Sequence, residues 1–185
     1  MKKLSCFVVL GLAAMLCSAA SAADVKSGLQ IGDFPSAFNV TDITGPSAGE
    51  KLCYRCKYGA RPVVSIFARK MDDNVAKLVS EIDGVVGKNA DEKKMAAFVT
   101  LLTNDPDAAE GALKAAAEKG AIKHTPLTVF ENNAGPAKYK IDANADVTVM
   151  MWVNNNVEVN HAFSAGQLNE DAIKKIVEDT GKILK

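Results

Sequence analysis

The sequence predicts one α/β domain, in which strands and helices alternate along the chain. Two observations support this prediction. The segments Val63–Phe67 and Ala96–Leu102 are apolar except for Ser65 and Thr100, as expected for strands covered on both faces of a sheet. The segments between and after them place apolar residues at three- and four-residue spacing, which is typical of amphipathic helices. No internal repeat, low-complexity stretch or linker rich in Gly and Pro interrupts residues 31–185, so we expect one domain there.

The predicted domain begins with a β-hairpin. Residues Phe38–Ile43 alternate inward- and outward-facing positions, and Thr44-Gly45-Pro46 then turns the chain. The apolar strand at Val63–Phe67 follows the hairpin.

Helix caps predict the next elements. Asp72 and Asp73 can cap a helix that Gly87 closes. Asn104-Asp105-Pro106 gives a cap followed by proline at the first helical position, and the helix is expected to run to Lys119.

The last part of the chain predicts strands and a final helix. Leu127–Phe130 is a short strand. The apolar segments on either side of Asn154-Asn155-Asn156 predict a hairpin over 147–153 and 157–163, because Asn tolerates positive φ in tight turns. A helix is expected to begin near Asn169.

The N-terminus resembles a secretory signal. Lys2 and Lys3 precede an apolar run, and small residues follow through Ala22, so residues 1–22 are predicted to be a signal peptide and residues 23–30 the leader of the mature chain. The short run predicts a secreted or periplasmic protein without an integral membrane span. Cys17 permits a lipid anchor as an alternative, although Leu16 is larger than the small residue that bacterial lipoprotein signals place there.

The charge of the chain argues against nucleic-acid binding. Without Lys2 and Lys3, the 22 basic residues fall to 20 against 22 acidic ones, which gives a net charge of −2. Proteins bind nucleic acids and anionic membranes through clusters of Lys and Arg. We therefore expect no nucleic-acid partner. The sequence also predicts no cofactor, allows another exported protein as partner, and leaves the oligomeric state open.

Two cysteines remain in the mature chain. Cys6 and Cys17 lie within the predicted signal, which leaves Cys53 and Cys56. In an oxidising compartment, two cysteines at this spacing are expected to bond to each other.

Several phrases resemble the thioredoxin-like superfamily, in the version found in peroxiredoxins and exported thioredoxin-like proteins. Residues 31–42 resemble the opening phrase of that group, with Gly-Asp, a proline, a phenylalanine, a strand and an aspartate. Residues 62–67 resemble the central strand, and residues 147–168 resemble the closing hairpin and the start of the last helix. The resemblance implies a thioredoxin-like fold: a central mixed sheet flanked by helices, with an N-terminal β-hairpin.

The residues that the resemblance would make functional are absent. The family's nucleophilic cysteine would lie within 68–73, and its cis-proline would be at Asp146 or Val147, but neither residue type occurs there. Under another alignment, Thr125-Pro126 is the cis-proline pair; otherwise Pro126 starts an edge strand. The resemblance therefore implies a lost site, and a peroxidase is not expected.

Cys53 and Cys56 are the predicted catalytic residues. They are expected in a turn, Cys53–Gly59, about 20 Å from the usual site along the central strand. Arg55, Lys57 and Arg61 would favour a thiolate, although the sequence predicts no helix to activate it. The predicted function is thiol-disulfide redox chemistry; the alternative is a non-catalytic binding module in which the disulfide is structural.

Two further features of the sequence bear on this region. A metal site would need two more ligands, and the only histidines, His124 and His161, are not expected to reach the cysteines, so no metal is predicted. The aromatic and basic residues around the cysteines form either an interface patch or a solvated loop.

Overall fold

The computed structural model of the protein describes residues 25–185, so the predicted signal peptide lies outside the described residues. The strands are β1 (Val40–Asp42), β2 (Lys51–Leu52), β3 (Val63–Ala68), β4 (Ala96–Leu102), β5 (Leu127–Phe130), β6 (Val147–Val153) and β7 (Asn156–Phe163). The α-helices are α1 (Tyr54–Tyr58), α2 (Asp73–Asn89), α3 (Pro106–Lys119) and α4 (Glu170–Asp179), and 3₁₀ turns cover Ala137–Tyr139 and Thr180–Lys182.

The seven strands form one mixed sheet, as predicted, in the order β2-β1-β5-β4-β3-β6-β7. Strands β3, β4 and β5 run parallel, while β1 and β6 are antiparallel to their neighbours in this central group. Strand β3 is fully buried between β4 and β6, with Val63 opposite Ala96 on one side and Trp152 on the other. Its largely apolar sequence suits this central position.

Core residues pack on both faces of the sheet. Because side chains alternate along a strand, Val64 and Ile66 of β3 enter the cluster beneath α2 and α4, whereas Val63 and Phe67 enter an aromatic cluster on the other face. That second cluster also contains Tyr54 of α1. The short helix α1 is thus attached to the face opposite α2.

The segment before residue 31 packs on the closing hairpin. Ser27 Oγ lies 2.7 Å from Thr148 Oγ1, and Asn160 Nδ2 donates to the carbonyls of Ser27 and Leu29 at 2.8 Å each. Gly28 has a φ of +81°, and a Cβ there would lie 2.7 Å from Thr148 Cγ2. Glycine is therefore required where this segment crosses β6 and β7.

Two local predictions are wrong. Helix α2 was expected to close at Gly87 but continues to Asn89, because Gly87 does not adopt the positive φ of a C-terminal cap. The segment Cys53–Gly59, expected as a turn without a helix, contains the five-residue helix α1. Gly59 ends it at a φ of +59°, a conformation that side chains disfavour. A helix of this length holds little more than one turn, so it has no hydrophobic periodicity for sequence reasoning to detect.

Candidate functional site

The two predicted catalytic residues form a disulfide at the beginning of α1. The Cα atoms of Cys53 and Cys56 are 5.2 Å apart. Cys53 is the N-cap residue and is half-buried, whereas Cys56 lies within the helix and is exposed. The backbone N–H of Cys56 donates to Cys53 Sγ at 3.1 Å. The two cysteines therefore differ in exposure, and Cys53 Sγ accepts a backbone hydrogen bond.

Tyr54 attaches this helix to the core. Its ring is 1% exposed, and its hydroxyl donates to Asp42 Oδ2 at 2.7 Å. Asp42 is itself buried and also accepts the backbone N–H groups of Gly45 and Ser47. Burial raises the pKa of Tyr54, and the hydrogen bond to the Asp42 carboxylate raises it further. The phenol therefore stays protonated and holds the cysteine pair against the end of β1.

Three basic side chains belong to the segment that carries the disulfide, and each lies over an aromatic ring. The Arg55 guanidinium is 4.6 Å from the centre of the Phe34 ring, and its Nε donates to Pro35 O at 2.7 Å. The corresponding distances are 5.6 Å from Lys57 Nζ to the Tyr54 ring and 5.4 Å from the Arg61 guanidinium to the Tyr58 ring. Such contacts fix cations without neutralising them.

These three cations have no acidic partner within residues 25–185. The chain from Lys51 to Met71 contains no Asp or Glu at all. Phe34, beneath Arg55, is 60% exposed. The segment that carries the disulfide thus presents basic side chains together with an exposed aromatic ring.

A cleft of about 460 Å³ adjoins α1 through Tyr58. The segments around Gly45 and Thr125 form its walls, and Lys123 and His124 line it. Asp83, buried on α2, accepts the backbone N–H groups of Lys123 and His124 and so fixes this wall. The cleft gives an extended ligand room beside the cysteine helix.

The usual site of the resembled family lies at the other end of β3 and is closed. Arg69 directs its guanidinium and Nε to the carbonyls of Asn133, Asp142 and Ala145, at 2.6, 2.9 and 2.8 Å. The N–H of Arg69 donates to the carbonyl of Asp146, the expected cis-proline position. The cavity beside Asp146 measures about 30 Å³, which suffices for a water molecule.

Two of the other sequence alternatives, the cis-proline pair and a metal site shared by the cysteines and histidines, receive no support from the described residues. None of the peptide bonds within residues 25–185 is cis, so Thr125-Pro126 is not a cis pair here. His161 lies 2.9 Å from Asp179 Oδ2 rather than near the cysteines. In the described part of the chain, no three His, Cys, Asp or Glu side chains are grouped to bind a metal ion, and no helix has the length and apolar character needed to cross a bilayer.

Comparison with known proteins identifies the fold. No family model matches the chain. No curated protein matches it by sequence. Solved structures do match: a candidate protein disulfide isomerase from Bacteroides thetaiotaomicron superposes with a TM-score of 0.65 at 15% identity, covering 86% of this chain and 94% of that one.

Two further solved structures agree with this result. A candidate thiol:disulfide interchange protein DsbE from Chlorobium tepidum gives a TM-score of 0.58 at 15% identity, covering 83% of this chain and 99% of that chain. The thiol peroxidase from Chromobacterium violaceum gives 0.53 at 12%, covering 85% and 91%. The predicted thioredoxin-like fold is confirmed. At these identities the likeness establishes the fold alone, so the role of the cysteines stays a prediction.

Sequence reasoning missed two residues of this site. Asp42 was placed on the first strand, but its contact with Tyr54 was not predicted, although an aspartate just before a Gly-Pro turn commonly accepts backbone N–H groups. Phe34 was noted only as part of a family phrase. Nothing in its sequence position indicated that it would contact Arg55 across the chain.

Proposed function

We propose that this protein is an exported thiol-disulfide exchange protein that works through Cys53 and Cys56. One observation carries the proposal: the disulfide includes one exposed residue, Cys56, whose chain neighbours Arg55 and Lys57 have no acidic partner within residues 25–185. Positive charge near a sulfur favours the thiolate, which is the reactive form in exchange. The thioredoxin-like scaffold supports this assignment by analogy, since several solved structures that share it are named for the same chemistry.

The exchange is expected to begin at Cys56. A thiolate of a partner dithiol attacks Cys56 Sγ, a mixed disulfide forms, and the Cys53–Cys56 bond breaks with its electron pair on Cys53 Sγ. The backbone N–H of Cys56, which already donates to Cys53 Sγ, stabilises that leaving thiolate. The partner's second thiolate then attacks its own bonded sulfur. The partner leaves as a disulfide, and this protein is left reduced, with two electrons gained.

Redox potential and single cysteine variants test the proposal. We expect a reduction potential above about −300 mV, because structural disulfides lie below that value. Reduction of a partner disulfide by the reduced protein should disappear in Cys56→Ser and should survive in Lys70→Ala, which alters the closed site at the other end of β3. A potential below the structural range, or undiminished activity in Cys56→Ser, would contradict the proposal.

Direct trapping tests which sulfur is attacked. The oxidised protein is mixed with a small thiol, quenched with acid, alkylated and digested, and mass spectrometry then locates the adduct. We expect the thiol on Cys56 and the alkyl group on Cys53. An adduct found mainly on Cys53 would reverse the assignment.

Export is the second part of the proposal. It is supported by residues 1–22, which carry basic residues, an apolar run and small residues in the order of a cleavable signal. Expression of the full chain in a secreting bacterium should yield a mature protein that begins near Ala23. N-terminal sequencing of the protein recovered outside the cytoplasm checks this, and an uncleaved cytoplasmic chain would contradict it.

The alternative function is a binding module in which the disulfide only shapes α1. The hydrogen bond from Cys56 N–H to Cys53 Sγ favours it, since this is also how an N-cap residue stabilises a helix. A disulfide closing a loop of this size contributes about 2 kcal/mol through the unfolded state. A module of this kind would lose that stability on reduction and would never transfer electrons to a partner.

A further inference from the structure

Given the proposed exchange, we infer that the substrate is an acidic, cysteine-bearing peptide segment, recognised by the basic surface around the Cys53–Cys56 disulfide. We call this surface the cationic rim and define it as Arg55, Lys57 and Arg61. The inference concerns which thiols the site selects, whereas the proposed function concerns only the exchange itself.

The charges of the cationic rim are uncompensated within the described residues. Some basic side chains elsewhere on the described surface, such as Lys51 and Lys114, pair with carboxylates, and others, such as exposed Lys138, do not. The cationic rim differs from both because its three cations share one segment, Lys51 to Met71, that contains no Asp or Glu. The protein as a whole is nearly neutral, so the charge is concentrated locally in this segment. An approaching anionic segment would therefore be attracted to the disulfide in particular.

The cationic rim is also held in place. Its guanidinium groups and ammonium lie over the rings of Phe34, Tyr54 and Tyr58, and the Nε atoms of both arginines donate to backbone carbonyls. Cations already fixed in position lose less conformational entropy when they pair with a carboxylate. Planar guanidinium groups additionally suit carboxylates, which they bind with parallel hydrogen bonds.

Next to the cationic rim, the surface offers room and a further cation. The cleft of about 460 Å³ borders Tyr58, whose ring lies under Arg61, and it is lined by Lys123. Lys123 also has no acidic partner within residues 25–185. A peptide extending from Cys56 past Tyr58 would thus meet basic side chains over several residues. A neutral or basic peptide would gain nothing from them.

Matched peptides test this inference. Three peptides of equal length carry one cysteine flanked by acidic, neutral or basic residues, and each reduces the oxidised protein under pseudo-first-order conditions. Flanking charge alters the reactivity of the thiol itself, so each rate is divided by the rate of the same peptide with a neutral small-molecule disulfide. We expect the normalised rate of the acidic peptide to exceed that of the basic peptide by about tenfold or more at low salt, and high salt should abolish the difference.

Charge-reversal variants locate the effect. Lys57→Glu should lower the ratio of acidic to basic peptide to about threefold or less, because Lys57 is exposed beside Cys56. Lys174→Glu, which makes the same charge change on exposed helix α4, should leave the ratio near its original value. Equal normalised rates for all three peptides, or equal effects of the two variants, would overturn the inference while leaving the exchange intact. If no peptide reduces the disulfide, the proposed function itself is wrong.

Discussion

Replacing Tyr54 with Phe should loosen the cysteine helix without leaving a cavity. The substitution removes only the hydroxyl that donates to Asp42 Oδ2 at 2.7 Å and keeps the buried ring. A hydrogen bond to a charged group contributes about 1.5 to 3 kcal/mol. In Tyr54→Phe, Asp42 still accepts hydrogen bonds from the N–H groups of Gly45 and Ser47, so the lower end of this energy range applies. We expect Tyr54→Phe to lower the free energy of unfolding by about 1.5 kcal/mol.

Tyr58→Phe is the matched control on the same helix. Tyr58 is also largely buried, but its hydroxyl lies 3.4 Å from Ala97 O, at the limit of hydrogen bonding. Its loss should cost under about 0.5 kcal/mol. Urea unfolding of both oxidised variants, analysed with the wild-type protein at one pH, measures the difference. If Tyr58→Phe destabilises as much as Tyr54→Phe, the Asp42 contact is not what fixes α1, and the reasoning from hydrogen-bond geometry fails.

Three other predictions concern acid, alkali and helix stability. Burial raises the pKa of Asp179, but hydrogen bonds from Lys175, Lys182 and His161 outweigh burial and lower the pKa to about 2. Because the carboxylate is stabilised in the folded state, about 2 kcal/mol of the free energy of unfolding should be lost as pH falls from about 4 to 2. Asp179→Asn should flatten that decline in acid unfolding curves, whereas exposed Asp171→Asn should not. All three tyrosines have pKa values raised chiefly by burial, so tyrosinate absorbance should appear only when alkali unfolds the protein; titration near pH 10 before unfolding would contradict this. Gly111 is exposed within α3 and has open space at its Cβ position, so Gly111→Ala should raise the free energy of unfolding, measured in urea, by about 0.5 to 1 kcal/mol. A lower free energy of unfolding would contradict the assignment of Gly111 to the interior of a helix.

The sheet was predictable because its signals are local. The strand Ala96–Leu102 has the predicted bounds, since a short run in which only Thr100 is polar is typical of a buried strand. Helix α3 runs from Pro106 to Lys119 as predicted, because its N-cap depends on neighbouring residues: the Asp105 carboxylate accepts the N–H of Ala108. In such elements, the residues that decide the structure are neighbours in sequence.

The candidate site was predictable only in part, because it depends on contacts between distant residues. The position of Cys53 and Cys56 before β3 followed from counting along the chain. The contact of Tyr54 with Asp42 spans twelve residues, and the contact of Arg55 with Pro35 spans twenty. Neither leaves a periodic pattern. Helix α1 was missed for a related reason, since tertiary packing of Tyr54 rather than local periodicity stabilises a helix this short.

The two ends of β3 differ in what they leave available for chemistry. At the carboxyl end, the Arg69 side chain donates hydrogen bonds to three backbone carbonyls. The backbone N–H of Arg69 donates to the carbonyl of Asp146, which is at the position expected for the cis-proline. Hydrogen-bonding groups that are satisfied within the fold must be uncoupled before they can bind a substrate, which costs free energy. At the amino end, Cys56 is exposed and the nearby cations have no acidic partners within residues 25–185. An incoming thiolate therefore meets an exposed disulfide residue flanked by cations unpaired within that range at the amino end of β3, and this difference between the two ends favours reactivity there.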